Sequence, residues 1–169
     1  MGITEAALYR DFPSKEAMYT SILDQRMAEP EVLEPFQPLI DAGDDQGVFT
    51  QLALGLLRSI GADASMLRLL LYSALEGHEL ARPFHDGRMR RLREMLASYI
   101  ARRQHEGAFR ADLEPLSALR AFLGMIVYHL IAREIFRQRE LDQSPEQIAG
   151  TFVSIFLRGV LATNGGGDV

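Results

Sequence analysis

Side chains capable of catalysis are present in this sequence, but their spacing argues against an enzyme. The four histidines are His78, His85, His105 and His129. None stands in a Glu-x-x-His or His-Glu-x-x-His arrangement, which would set metal ligands on one helical face. Glu76, His78, Glu79, His85 and Asp86 crowd a single stretch, but Gly77, Pro83 and Gly87 interrupt it. Those side chains need not share a face, and no metal is expected. The absence of cysteine removes thiolate nucleophiles, disulfides and sulfur-ligated metals together. No glycine-rich phosphate loop follows a strand, since Gly165, Gly166 and Gly167 belong to a terminal tail. The expectation is a protein that is not an enzyme and needs no cofactor. A small helical enzyme would instead have to gather polar groups around a cavity.

A different chemistry is available near the start of the chain. Thr4-Glu5-Ala6-Ala7-Leu8-Tyr9-Arg10-Asp11-Phe12 is followed by Pro13-Ser14-Lys15. Leu8 and Phe12 are four apart and share one face of a short helix, which leaves Glu5, Ala6, Tyr9 and Arg10 towards the open side. Short side chains such as Ala6 and Ala7 let a helix approach base edges and touch a thymine methyl, while Arg10 suits guanine or a phosphate. Ser14 is a suitable N-cap for a following helix, continued by Met18 and Ile22. A helix, a short turn and a helix in this order suggest the DNA-facing half of a helix-turn-helix. Such a unit requires a first helix to brace the second against the duplex, and only Met1, Gly2 and Ile3 precede this one.

This segment resembles the DNA-binding region of the TetR family of bacterial transcriptional regulators. The matching features are Gly2, the aliphatic Ile3, Thr4, Leu8-Tyr9, Phe12, Ser14-Lys15 and the apolar Met18. The resemblance implies that Gly2 closes the turn, that Leu8 and Phe12 face a three-helix core, and that Thr4, Tyr9 and Lys15 contact phosphates. Lysine and a helix N-terminus both favour a phosphate there. The implied DNA-binding set is Thr4, Glu5, Ala6, Ala7, Tyr9, Arg10 and Lys15. Asp11 departs from the family, which usually places His or Tyr there. The resemblance also implies two helices before Gly2 that this chain lacks. The principal expectation is a ligand-responsive repressor that binds palindromic operator DNA, in its full-length form, as a homodimer. The alternative is a dimerising ligand-binding module without DNA-binding activity.

The elements that must carry such a site are helical throughout, since nearly every long segment repeats apolar residues three and four apart. The expected fold class is all-α, with a partial helix-turn-helix over 1–29 and a larger helical regulatory domain over 44–163. Residues 30–47 have loop composition, with Pro30, Pro35, Pro38, Gly43 and Gly47. Asp44 or Asp45 should cap a helix that Gly61 ends, and a second should run from about Ser65 to Gly77. A third should follow Pro83 and stop at Gly107. Seven arginines fall between Arg82 and Arg103, but the apolar positions keep their period among them, which describes a solvated helix face. Glu114-Pro115 opens a helix expected to reach Arg139, and Ser144-Pro145-Glu146-Gln147 opens the last one, to about Ala162. The Gly107–Pro115 stretch and the two closing helices also resemble the family.

Two further sites follow from this layout. An effector pocket among the central helices is expected from Met66, Leu70, Met89, Leu92, Phe122, Met125 and Tyr128, with His129 or Tyr72 as polar anchors. Such a lining suits a small hydrophobic or amphipathic molecule. The last two helices carry two apolar stripes each, and a terminal helix cannot be wrapped on every side by its own domain. The second stripe, comprising Val127, Ile131, Ile135, Val153, Leu157, Val160 and Leu161, is therefore expected to meet a second copy. No apolar run approaches the roughly 18 to 20 residues that span a bilayer, and residues 1–20 lack the order of a signal peptide. A cytoplasmic protein without a membrane partner is expected. Its net charge of -5 by itself does not favour nucleic acid.

Overall fold

The computed structural model describes residues 33–75, 88–138 and 143–162. The expectations placed on residues 1–29, and the Glu76 to Asp86 cluster, lie outside them. The described residues are helical and contain no strand, in agreement with the all-α expectation. A 3-10 turn over Glu34–Phe36 leads into α1, Gln37–Ala42. The remaining helices are α2, Asp45–Ala62, α3, Ser65–Leu75, α4, Arg88–His105, α5, Pro115–Glu134, and α6, Pro145–Val160.

The 30–47 stretch is a correction to its reading as loop. Pro35 and Pro38 each stand in the first turn of a short helix, where the missing N–H is no loss. Gly43, at φ 66, caps α1 in the left-handed region that glycine reaches without strain. Phe36 and Ile40 are buried, so the helical body begins upstream of residue 44. Asp44 Oδ1 then accepts the Gly47 N–H at 2.8 Å and starts α2. A side chain at Gly47 would collide with the Asp44 carboxylate and with Leu39, which accounts for the glycine.

Two helix ends also differ from expectation. Gly61 lies inside α2, whose C-cap is Asp63; a Cβ there would stand 2.6 Å from Nη2 at the far end of the Arg133 side chain. Helix α5 stops at Glu134 instead of continuing to Arg139. Its last carbonyls are taken by a reversal, in which Phe136 N–H bonds to Ile131 O and Gln138 N–H to Ala132 O, with Arg137 at φ 56. The starts follow their sequence signals. Glu114 accepts the Leu116 N–H at 2.9 Å and the Ser117 N–H at 2.5 Å. Ser144 and Gln147 form a reciprocal capping box.

Helix α2 is the centre of the body, packing most extensively on α6 and also on α5, while α4 packs on α5. Phe49 on α2 is the junction. Its ring lies 4.6 Å from Phe156 on α6 and 5.2 Å from Phe122 on α5, and those two are 4.8 Å apart. Tyr99 and Phe109 each stand at 6.4 Å from Phe49. Edge-on and tilted pairs of this kind add about 0.5 to 1.5 kcal/mol each beyond their burial. The end of α6 is held by the α4–α5 connection through Arg110 N–H to Val160 O at 2.8 Å and Ala162 N–H to Ala108 O at 2.9 Å. An isolated antiparallel bridge joins Phe109 and Leu161 there.

Among the described residues, α5 is long and apolar enough to cross a membrane by length and composition, contrary to the expectation that no run approaches this. Its hydropathy has a packing cause: Leu119, Phe122, Ile126 and Leu130 are all completely buried in the core shared with α2 and α6.

Candidate functional site

Successive residues of a helix point about 100° apart, and in α5 that rotation separates two neighbours completely. Tyr128 is 66% exposed, whereas His129 is 5% exposed. The His129 ring meets Phe152 of α6 edge to face, with centroids 5.9 Å apart at 80°. Its Nε2 is buried and has no hydrogen-bond partner. One turn further on, Arg133 pairs with Glu134, with Nε and Nη2 both 2.7 Å from Oε1. Arg68 of α3 donates to the Glu134 carbonyl at 3.1 Å, and the Arg133 guanidinium lies against Gly61 of α2. Residues of three helices thus meet at the Arg133–Glu134 pair. Burial lowers the His129 pKa from its ordinary value, and the nearby Arg133 charge adds to this, while Glu134 opposes it. The first two effects favour the neutral ring.

The expected pocket residues divide into separate groups. Phe122 and Leu92 are buried in the core, and Phe122 is closed in by Phe49 and Phe156. Leu70, Met89 and Met125 are half-buried. Tyr72 is 50% exposed, and the Met66 side chain lies outside the described residues. Tyr128 is exposed, while its neighbour His129 takes the inward position.

The residues of the expected dimer face divide between core and surface in the single chain. Val153, Leu157 and Val160 are buried in the chain's own core, because α6 packs against both α2 and α5 and needs a broad apolar arc to do so. Leu161 is partly exposed but its backbone is bridged to Phe109. Ile131 and Ile135 are half-buried, and Val127 is at the boundary of exposure. The outward face of α6 instead carries Gly150, Thr151, Ser154, Ile155 and Arg158, with Ile155 56% exposed. The outward face of α5 carries Gly124, Val127 and Tyr128. A Cβ added at Gly124, Gly150 or Gly159 would meet nothing within 4 Å, so these glycines are not required by packing within one chain.

One polar cluster had no counterpart in the sequence reading. Asp45, at the first position of α2, accepts from Tyr99 Oη at 2.5 Å and from Arg103 Nε and Nη2, both at 2.9 Å. Arg102 donates to the Ile40 carbonyl and lies over the Tyr99 ring. Burial, then the hydrogen bond to Asp45, raises the Tyr99 phenol well above its usual range, and the Asp45 bond raises Arg103. Both groups therefore keep their protons, and the cluster locks α4 to the α1–α2 junction. The signal was Tyr99 on an otherwise aliphatic stripe, since a buried phenol seeks a partner. Two of the seven arginines are thereby structural, while Arg90 pairs with Glu94 on the exposed face of α4.

Among the described residues no group of three His, Asp or Glu side chains converges to hold a metal ion. No family model, curated protein or solved structure matches this chain.

Proposed function

We propose that this chain is a ligand-responsive transcriptional regulator of the TetR kind. It acts in the cytoplasm as a repressor, binds near-palindromic operator DNA as a homodimer, and is released by a small hydrophobic effector. The observation that carries the reading is the order of residues from Thr4 to Lys15, in which Leu8 and Phe12 have the four-residue spacing that a helix would bring to one face. Two features of the helical body support it. Helices α5 and α6 present exposed apolar side chains beside glycines that no contact within the chain requires, as a face for a second copy would. His129 places an unsatisfied polar atom in an apolar interior, as a polar anchor for a ligand would.

Two recognition helices must stand about 34 to 36 Å apart to read half-sites one DNA turn apart. An effector that favours a different spacing weakens operator binding, and a coupling of about 1 to 3 kcal/mol corresponds to about 5- to 150-fold. Selection from a random duplex library with the chain, and with a version extended by any in-frame upstream coding segment, tests the reading. The expected result is enrichment of a near-palindrome with half-sites one turn apart. Tyr9→Ala and Lys15→Ala should weaken binding to all sequences, and Arg10→Ala should relax preference at one base. Absence of enrichment from both proteins overturns the repressor, and a persisting dimer would then identify the module without DNA-binding activity.

A further inference from the structure

We propose that His129 Nε2 is the receiving point for a neutral, phenol-like ligand, an aromatic ring carrying one hydroxyl, held against Phe152. The inference deepens the effector part of the reading above and rests on it. The starting observation is that Nε2 is buried and unpartnered. Leaving such an atom unsatisfied costs about as much as a lost hydrogen bond, and a ligand oxygen that reaches it removes that cost.

The surroundings select the ligand's chemistry. A neutral imidazole offers at Nε2 either one N–H or one lone pair, and a hydroxyl satisfies both because it donates and accepts. Phe152 already presents an edge-to-face aromatic contact to the imidazole. Met125 stands four residues before His129 on α5 and so lies on the same side of the helix. Both are only partly buried, so they can yield to a ring. A thioether and a phenyl edge both favour an aromatic body. A cation is disfavoured, because Arg133 is one turn away and already lowers the proton affinity of the imidazole. A carboxylate gains little, because the Arg133 guanidinium is committed to Glu134.

The test uses the whole chain without DNA, labelled with nitrogen-15 in its histidines, and three probes: phenol, toluene and benzylammonium. Phenol should move the Nε2 resonance of His129 saturably, and benzylammonium should not. The ratio of phenol to toluene affinity should fall about fivefold in His129→Leu, the ratio that corresponds to a hydrogen bond of ~1 kcal/mol. His129→Gln, which keeps a donor and an acceptor, should recover part of that ratio. An Nε2 resonance indifferent to phenol overturns the proposal. An unchanged affinity ratio in His129→Leu overturns it too. Because binding is read without DNA, failure of operator selection and failure at His129 are separate results.

Discussion

At the scale of single residues, two polar groups among the described residues stand in opposite situations, the half-buried Asp45 and the buried His129. Asp45 is engaged by three donors from Tyr99 and Arg103, and His129 Nε2 has none. The difference gives a pH dependence whose sign can be worked out. The folded-state pKa of His129 lies below that of the unfolded chain, chiefly through burial, where the unfolded value is about 6.5. Well above pH 6.5 neither state binds the proton and the full stability is present. As the pH falls below that value the unfolded state takes up the proton first, so stability is lost until the folded-state pKa is passed. Urea unfolding at pH 7.5 and pH 5.5 should show a decrease in stability that is smaller in His129→Leu than in the parent. The same variant should match or exceed the parent at pH 7.5, because it removes an unsatisfied atom. An equal decrease in both proteins would mean that other groups govern this range.

At the scale of elements, the helix starts were better marked than the ends. Asp44, Glu114 and Ser144 all cap the helices expected of them, because capping is a local interaction between a side chain and backbone groups two or three residues away. The ends of α2 and α5 were not legible, since they depend on distant partners. Gly61 was read as a stop but instead lies inside α2 beside Arg133 of α5, and α5 ends in a reversal at Arg137 beside the carbonyl that Arg68 binds. The α1 region was misread because proline and glycine mark both loops and the termini of short helices. The capping box of α6 supplies a direct measurement. Ser144→Ala removes the acceptor for the Gln147 N–H and should cost about 1 kcal/mol by urea denaturation. Ser144→Asp, which retains an acceptor, should restore most of it. A loss below a few tenths would show that packing on α2 alone fixes the start of α6.

At the scale of the whole molecule, the question is which apolar surface is left after the chain has built its own core. Val153 is completely buried and Ile155 is 56% exposed, although they are two residues apart on α6. Ile155→Asp should therefore leave the helical circular dichroism unchanged and convert a dimer to a monomer in sedimentation velocity, whereas Val153→Asp should unfold the chain. Gly124→Ala should stabilise an isolated α5 by about 0.5 to 1 kcal/mol, since nothing lies within 4 Å of the added carbon. Gly124→Leu should weaken self-association if a second helix approaches there. A monomeric parent at micromolar concentration would remove the dimer from the proposal. Periodicity and caps were sufficient to establish from sequence that the body is helical and where most helices begin, because those signals act over one or two turns. They also presented α5 and α6 as helices with two apolar faces. Only the tertiary structure decided which face stays outside, because α6 packs against α2 and α5 together and draws Val153, Leu157 and Val160 inward. It also decided that His129 faces inward while Tyr128 faces out. A helical stripe records that a face is apolar, and the choice of what covers it is made by residues a hundred positions away in the chain, as Phe49 of α2 and Phe156 of α6 demonstrate.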